Sequence, residues 1–203
     1  MTKIFHMKIK LSISALLLGL IFSCGPQKEG AEQKAARMDS LIVTYTALND
    51  SLGQAWDTMI ADDDTKMANL KRLIEEITYT NNYDPSVTDS LTTMISQLGA
   101  LRYDQETMRE SNLIDEYDSA SMVVVNKITN LAINHPQYES HPLMQELVND
   151  IQESQQMLFL YRVRYDEVAK QINSFIDQHN KELIENDVTQ TDNSQKPLFQ
   201  ISG

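Results

Sequence analysis

His135 and His141 stand six residues apart around a loop that carries Pro136, and an imidazole pair is the usual opening of a zinc site. Pairs that ligate from one helix share a face, and no further histidine or cysteine lies near, so these two read as loop histidines. His179 falls on an apolar stripe and reads as a histidine at the edge of a core. Asp62-Asp63-Asp64 offers hard oxygen ligands, but the glycine and closing glutamate of a calcium loop are missing. The plainer reading there is a solvated acidic turn or an N-cap cluster. Glu75-Glu76 and Asp115-Glu116 are carboxylate pairs of the kind that acid–base chemistry uses. On an acidic helical surface such pairs arise by chance, and nothing marks a cleft around them. The chain has no G-x-S-x-G, no Gly-rich phosphate loop and no H-E-x-x-H, so no metal, cofactor or catalytic set is expected.

Tyr161, Arg162, Tyr165 and Asn173 make the sharpest constellation. The two tyrosines are one helical turn apart, and Arg162 is four residues before Asp166, an ion-pair spacing on a helix. One reading is a polar and aromatic site between helices that holds a small ligand. The other is a hydrogen-bond network that fixes helix register, with rings in the core and hydroxyls at its edge.

Cys24 is the only cysteine. It follows the apolar run Leu11–Phe22, which is preceded by Lys3, Lys8 and Lys10 and closed by Ser23. A basic segment, a short apolar core and a small residue at the cut form an export signal, and a cysteine just past the cut resembles the lipobox of bacterial lipoproteins. The run covers roughly 18 Å at about 1.5 Å per residue, short of the roughly 30 Å hydrocarbon core, so an uncleaved anchor helix is the weaker alternative. Lipidation, for which palmitate is the natural label, would consume the sole thiol and leave packing alone to hold the fold. The expected location is the bacterial cell envelope, with inner and outer membrane both open.

The whole chain carries net charge −12. Removing Lys3, Lys8 and Lys10 with the signal takes the mature part to −15. So acidic a chain repels phosphate backbones and anionic lipid, which excludes nucleic acid as a partner and leaves the lipid to do the anchoring.

Proline is absent from three long arms, 31–83, 86–134 and 143–186, and glycine enters them only at Gly53 and Gly99. Met38, Leu41, Tyr45, Leu48, Leu52, Ala55 and Met59 recur at steps of three and four. The third arm does the same from Leu147 and Ile151 through Leu158, Tyr165, Ile172 and His179. That period of 3.5 predicts helices packed knobs-into-holes, and short connections make neighbours antiparallel. The fold class is therefore all-α, an antiparallel up-and-down bundle of long helices. The middle arm is less regular, with a polar gap at 102–111. A carboxylate at a core step is costly, so the first arm is expected to break near Asp63, into 31–60 and 66–80, giving four helices. Ser86 is the expected cap of the helix after Pro85, and Ser140 of the helix that carries Pro142 in its first turn. The organisation reads as a lipoprotein signal at 1–23, a tether at 24–34, the bundle at 35–186 and a polar, frayed tail at 187–203.

Several blocks resemble the LemA family. Ser154, Leu158, Arg162, Tyr165-Asp166, Ile172-Asn173 and Leu183-Ile184 fall on its T-E-N-R-I, A-R, repeated Y-N and L-I positions. Lys196-Pro197-Leu198-Phe199 looks like its aromatic C-terminal tail, His135-Pro136 stands at its Tyr-Pro, and Ala55-Trp56 and Leu73-Ile74-Glu75 match its A-W and L-V-E blocks. The likeness covers most of 40–199. Gln155-Gln156-Met157 replaces E-N-R, His179-Asn180 replaces F-P, and Asp62–Asp64 with Lys66 replaces a basic run. The resemblance implies an antiparallel four-helix bundle and no established activity. The expected role is a non-enzymatic scaffold that meets a protein partner of open identity. The alternatives are a small-ligand binder using Tyr161, Arg162, Tyr165 and Asn173, and self-assembly into a homo-oligomer through incompletely covered seams.

Overall fold

The computed structural model describes residues 30–80, 82–186 and 195–199. Every regular element among them is helical: α1 (Ala31–Thr78), α2 (Pro85–Ala100), α3 (Ser111–Ile133) and α4 (Pro142–Glu185), with single 3-10 turns at Thr107–Arg109 and Tyr138–Ser140. The all-α class and the antiparallel up-and-down bundle are as the apolar spacing predicts.

The four helices do not come from the expected division. α1 runs unbroken for 48 residues, about 72 Å, straight through Asp62–Asp64. Asp63 does take a core step, but its carboxylate is fully paired there: Lys66 one turn on, Arg102 from the loop after α2, and Tyr117 from α3. A satisfied charge removes the reason to break the helix. The division falls instead in the middle arm, at the polar gap. Asp104 accepts from the backbone N–H of Glu106 (3.0 Å) and Thr107 (2.8 Å), which turns the chain between α2 and α3. Those same hydrogen bonds, Thr107 first, hold the Asp104 carboxyl below its ordinary range.

The caps also differ from expectation. Asp84, not Ser86, caps α2: its Oδ1 accepts from Ser86 N (2.9 Å) and Ser86 Oγ (2.8 Å), with Pro85 in the first turn. His141 occupies the N-cap of α4, and Ser140 Oγ donates backward to Gln137 O. α1 already begins at Ala31, so residues 31–34 belong to the helix and not to a tether.

Lengths dictate the shape. α1 and α4, of 48 and 44 residues, lie antiparallel along most of their span, with Glu76 beside His141 at one end and Arg37 paired with Glu182 at the other. α2 and α3 are short and cover only the half of this pair nearest Thr78. Two cores result. The four-helix core includes Leu70, Leu73, Ile95, Ile128, Met144 and Ile151. The second, around Leu52, Met59, Tyr165, Val168 and Ile172, lies beyond the end of α2, where only the first turn of α3 reaches it through Ile114, and Met108 and Phe199 complete it. His135 ties the far end together: its Nδ1 accepts from Gln137 N (3.1 Å), which leaves the ring proton on Nε2, facing Thr80 Oγ1 (2.9 Å) and Asn82 O (3.0 Å).

Candidate functional site

The second core ends in a groove between α1 and α4, beyond the 3-10 turn that follows α2. Two long helices alone leave aromatic side chains uncovered at that point, and the chain covers them with its own residues 195–199. This is a correction to the sequence reading: within the tail taken as polar and frayed, Phe199 is only 4% exposed.

The segment runs back along α4 in extended form. Gln195 Nε2 reaches Asp177, Lys196 meets Asn173, and Phe199 N donates to Asp166 Oδ1 (2.8 Å). Asn173 uses both ends of its amide, Nδ2 donating to Lys196 O (2.9 Å) and Oδ1 accepting from Lys196 N (2.6 Å). The Phe199 ring then enters an aromatic box. It stacks on Trp56 (centroids 6.4 Å, 11°) and meets Tyr165 (5.4 Å, 75°) and Tyr103 (6.1 Å, 68°) near edge-on, with the Arg162 guanidinium 5.0 Å from its centroid.

Arg162 is held rigidly for that contact. Its two terminal nitrogens fork onto Asp118 of α3 (2.6 and 2.7 Å), and one also donates to Tyr103 Oη (2.9 Å). Burial would lower the Arg162 pKa, but Asp118 and Tyr103 outweigh it and raise it further. Burial pushes Tyr165 up to about 12 and raises Tyr103. Burial also raises Asp166, against the Phe199 N–H, Lys170 and Arg162, all of which lower it. A tyrosine so displaced is a poor acid–base group near neutrality.

Arg162, Tyr165 and Asn173 of the nominated constellation therefore converge, and on one object. Tyr161 does not join them: it turns toward Asp62, which also accepts from Ser154 Oγ (2.5 Å). The expected helical ion pair of Arg162 with Asp166 is replaced, since Arg162 crosses to Asp118 and Asp166 takes the tail. Trp56 is half-buried and forms a wall of the box. Tyr103, Asp118 and Phe199 were outside the nominated set. Tyr103 and Asp118 lie in the irregular middle arm, where no seam ranks one polar residue above another, and Phe199 sits in a stretch that composition marks as tail.

The Asp62–Asp64 run is neither a solvated turn nor a cap. Asp63 is 7% exposed, and Lys66 beside it 1%. Burial would raise the Asp63 carboxyl, but Lys66, Tyr117 and Arg102 together hold it below the ordinary range. Among the described residues, no three acidic, histidine or cysteine side chains are grouped to hold a metal ion. His179 packs against Phe175 and bonds Glu182 at the edge of the long pair. Glu75, Asp115 and Glu116 are exposed, as surface carboxylates would be, while Glu76 is half-buried beside His141. Cys24 and the 1–23 segment lie outside the described residues, and among those described no helix is long and apolar enough to cross a membrane. No family model, curated protein or solved structure matches the chain.

Proposed function

We propose that this chain is a non-enzymatic interaction module of the bacterial cell envelope, a lipoprotein of the LemA type tethered through lipid on Cys24. The bundle then serves as a rigid rod that presents helical faces and one groove to a protein partner. The observation that carries this reading is the content of the groove: its polar groups grip polypeptide main chain, and its aromatic groups grip a side chain. Such a set is built for peptide recognition rather than for turnover. The resemblance to LemA rests on the residue blocks quoted above and implies the four-helix bundle, not an activity; the lipid anchor rests on Cys24 and the signal before it.

Two measurements test it. Cells fed labelled palmitate should label the chain, and Cys24→Ala should abolish the label; persistence of the label rejects the anchor. Crosslinking in intact cells, followed by mass spectrometry, should recover a discrete protein partner. Turnover of a substrate by purified protein, abolished by changing one surface acid, overturns the non-enzymatic reading.

A small-ligand reading keeps one foothold. An open cleft of about 420 Å³ adjoins the docked segment, lined by Asn49, Gly53, Arg109, Tyr165 and Lys196 among others. A ligand bound there only in the native state raises the melting temperature by mass action, so a thermal-shift screen of envelope metabolites separates the two readings.

A further inference from the structure

The groove separates two kinds of contact. Asn173 and Asp166 bind main-chain atoms, which every residue other than proline carries, so they read an extended backbone and not a sequence. The box of Trp56, Tyr103, Tyr165 and Arg162 reads one side chain, and it lies three residues beyond the residue that Asn173 clamps. We propose that this groove is a docking site for an extended segment of a partner protein that carries an aromatic residue three positions after the clamped one, and that residues 195–199 are its built-in competitor. The proposal rests on the interaction-module reading and names the partner's chemistry.

The occupant is a foreign segment rather than a second copy's tail, by an energetic argument. Exchange between copies replaces each contact with an identical one and adds the cost of association. A foreign segment gains whatever contacts it makes beyond the five residues that the tail supplies. The net charge of −12 favours a segment that is basic or neutral around the clamp, and Lys196 is the one charged residue of the docked tail. The tail sets the threshold. Joined to α4 through residues 187–194, it competes at an effective concentration of order millimolar, so the groove answers only to segments that outbid it.

The test uses the full chain in detergent and a fluorescent peptide of residues 195–203, Gln-Lys-Pro-Leu-Phe-Gln-Ile-Ser-Gly. Phe199→Ala empties the box without touching the groove. That variant should bind the peptide at least about tenfold more tightly than the unmodified chain does, and a peptide with alanine for the phenylalanine should not bind. Adding Asn173→Ala should weaken binding about tenfold again. Trp56, the only tryptophan, should report the docking by a fluorescence change. If the Phe199→Ala chain keeps its helical circular dichroism and melting transition yet does not distinguish the two peptides, the proposal is overturned. Should Phe199→Ala not fold, a chain ending at residue 194 takes its place under the same criteria. Light scattering that shows the unmodified chain dimeric, and Phe199→Ala monomeric, overturns the choice of a foreign occupant. A partner crosslinked in cells equally well with and without Phe199→Ala sinks the groove while leaving the module reading intact. Peptide binding without any crosslinked partner sinks the module reading and the foreign occupant with it, and leaves a groove that serves the tail alone.

Discussion

Asn173 holds both main-chain polar atoms of Lys196, its Nδ2 2.9 Å from the carbonyl oxygen and its Oδ1 2.6 Å from the nitrogen. A side-chain amide carries its donor and its acceptor on two neighbouring atoms, matched to the two main-chain groups. Asn173→Asp keeps size and acceptor but turns a carboxylate oxygen toward the Lys196 carbonyl. We expect the tail to loosen by roughly 1–3 kcal/mol, the cost of an unmade bond plus an unfavourable contact. Hydrogen exchange checks this. Protection of the Phe199 amide should fall, while amides in α2 and α3 keep theirs. Equal loss everywhere would mean that the clamp is part of the global fold and not a local strap.

Arg162 is the second predicted weak point. It forks onto Asp118, reaches Tyr103 and lies against the Phe199 ring, and no lysine rotamer can make all three contacts. Arg162→Lys should lower stability by about 1.5–3 kcal/mol, in the range of hydrogen bonds to charged groups. Urea titration gives the loss as a shift in midpoint at constant slope. A double-mutant cycle with Asp118→Asn should return a coupling of at least about 1 kcal/mol; additivity would show that the pair holds nothing.

The class of fold was legible because packing writes itself into apolar spacing. Leu41, Leu52, Met59, Ile151 and Ile172 are buried on the faces that their steps of three and four assign them. What spacing does not carry is partnership. Asp63 on a core step signals a break only if nothing neutralises it, and its partners Arg102 and Tyr117 come from 39 and 54 residues away. The tail was opaque for a related reason. Phe199 is buried by Trp56 and Tyr165 from two different helices, so no local pattern around it announces a core. The Arg162 group was visible in part, since Tyr165, Arg162 and Asn173 share one helix, but its object, Lys196–Phe199, was not.

Stability should respond to pH at both ends. Asp63 has a depressed pKa in the fold, so its contribution is full above the ordinary value of 3.8 and is lost as pH falls below that toward the folded value. Asp166 is raised, so protonating it favours the fold and partly offsets the loss. Tyr165, raised from 10.0 to about 12, contributes stability that is complete below pH 10 and lost as pH climbs toward 12. Melting temperature measured from pH 2 to 12 should give a plateau with two falling limbs. Asp63→Asn should flatten the acid limb and Tyr165→Phe the alkaline one; an unchanged acid limb in Asp63→Asn would mean that other carboxylates govern it.

The buried pair of Lys66 and Asp63 predicts an asymmetry. Asp63 has three partners, Lys66 (2.8 Å), Arg102 (2.5 Å) and Tyr117 (2.6 Å), and survives the loss of one. Lys66 is 1% exposed and has, among the described residues, only Gln155 Oε1 at 3.4 Å besides Asp63. Asp63→Leu therefore leaves an ammonium in the interior without a counter-charge, and should cost about 3–5 kcal/mol. Lys66→Met removes the charge but keeps an unbranched apolar chain of similar length, so it should cost distinctly less. The double variant should be more stable than Asp63→Leu alone, because a buried ion pair replaced by apolar groups is often neutral. Chemical denaturation of the three variants tests the ordering. If Lys66→Met proves as damaging as Asp63→Leu, the lysine is the hub of this cluster and the carboxylate merely one of its supports.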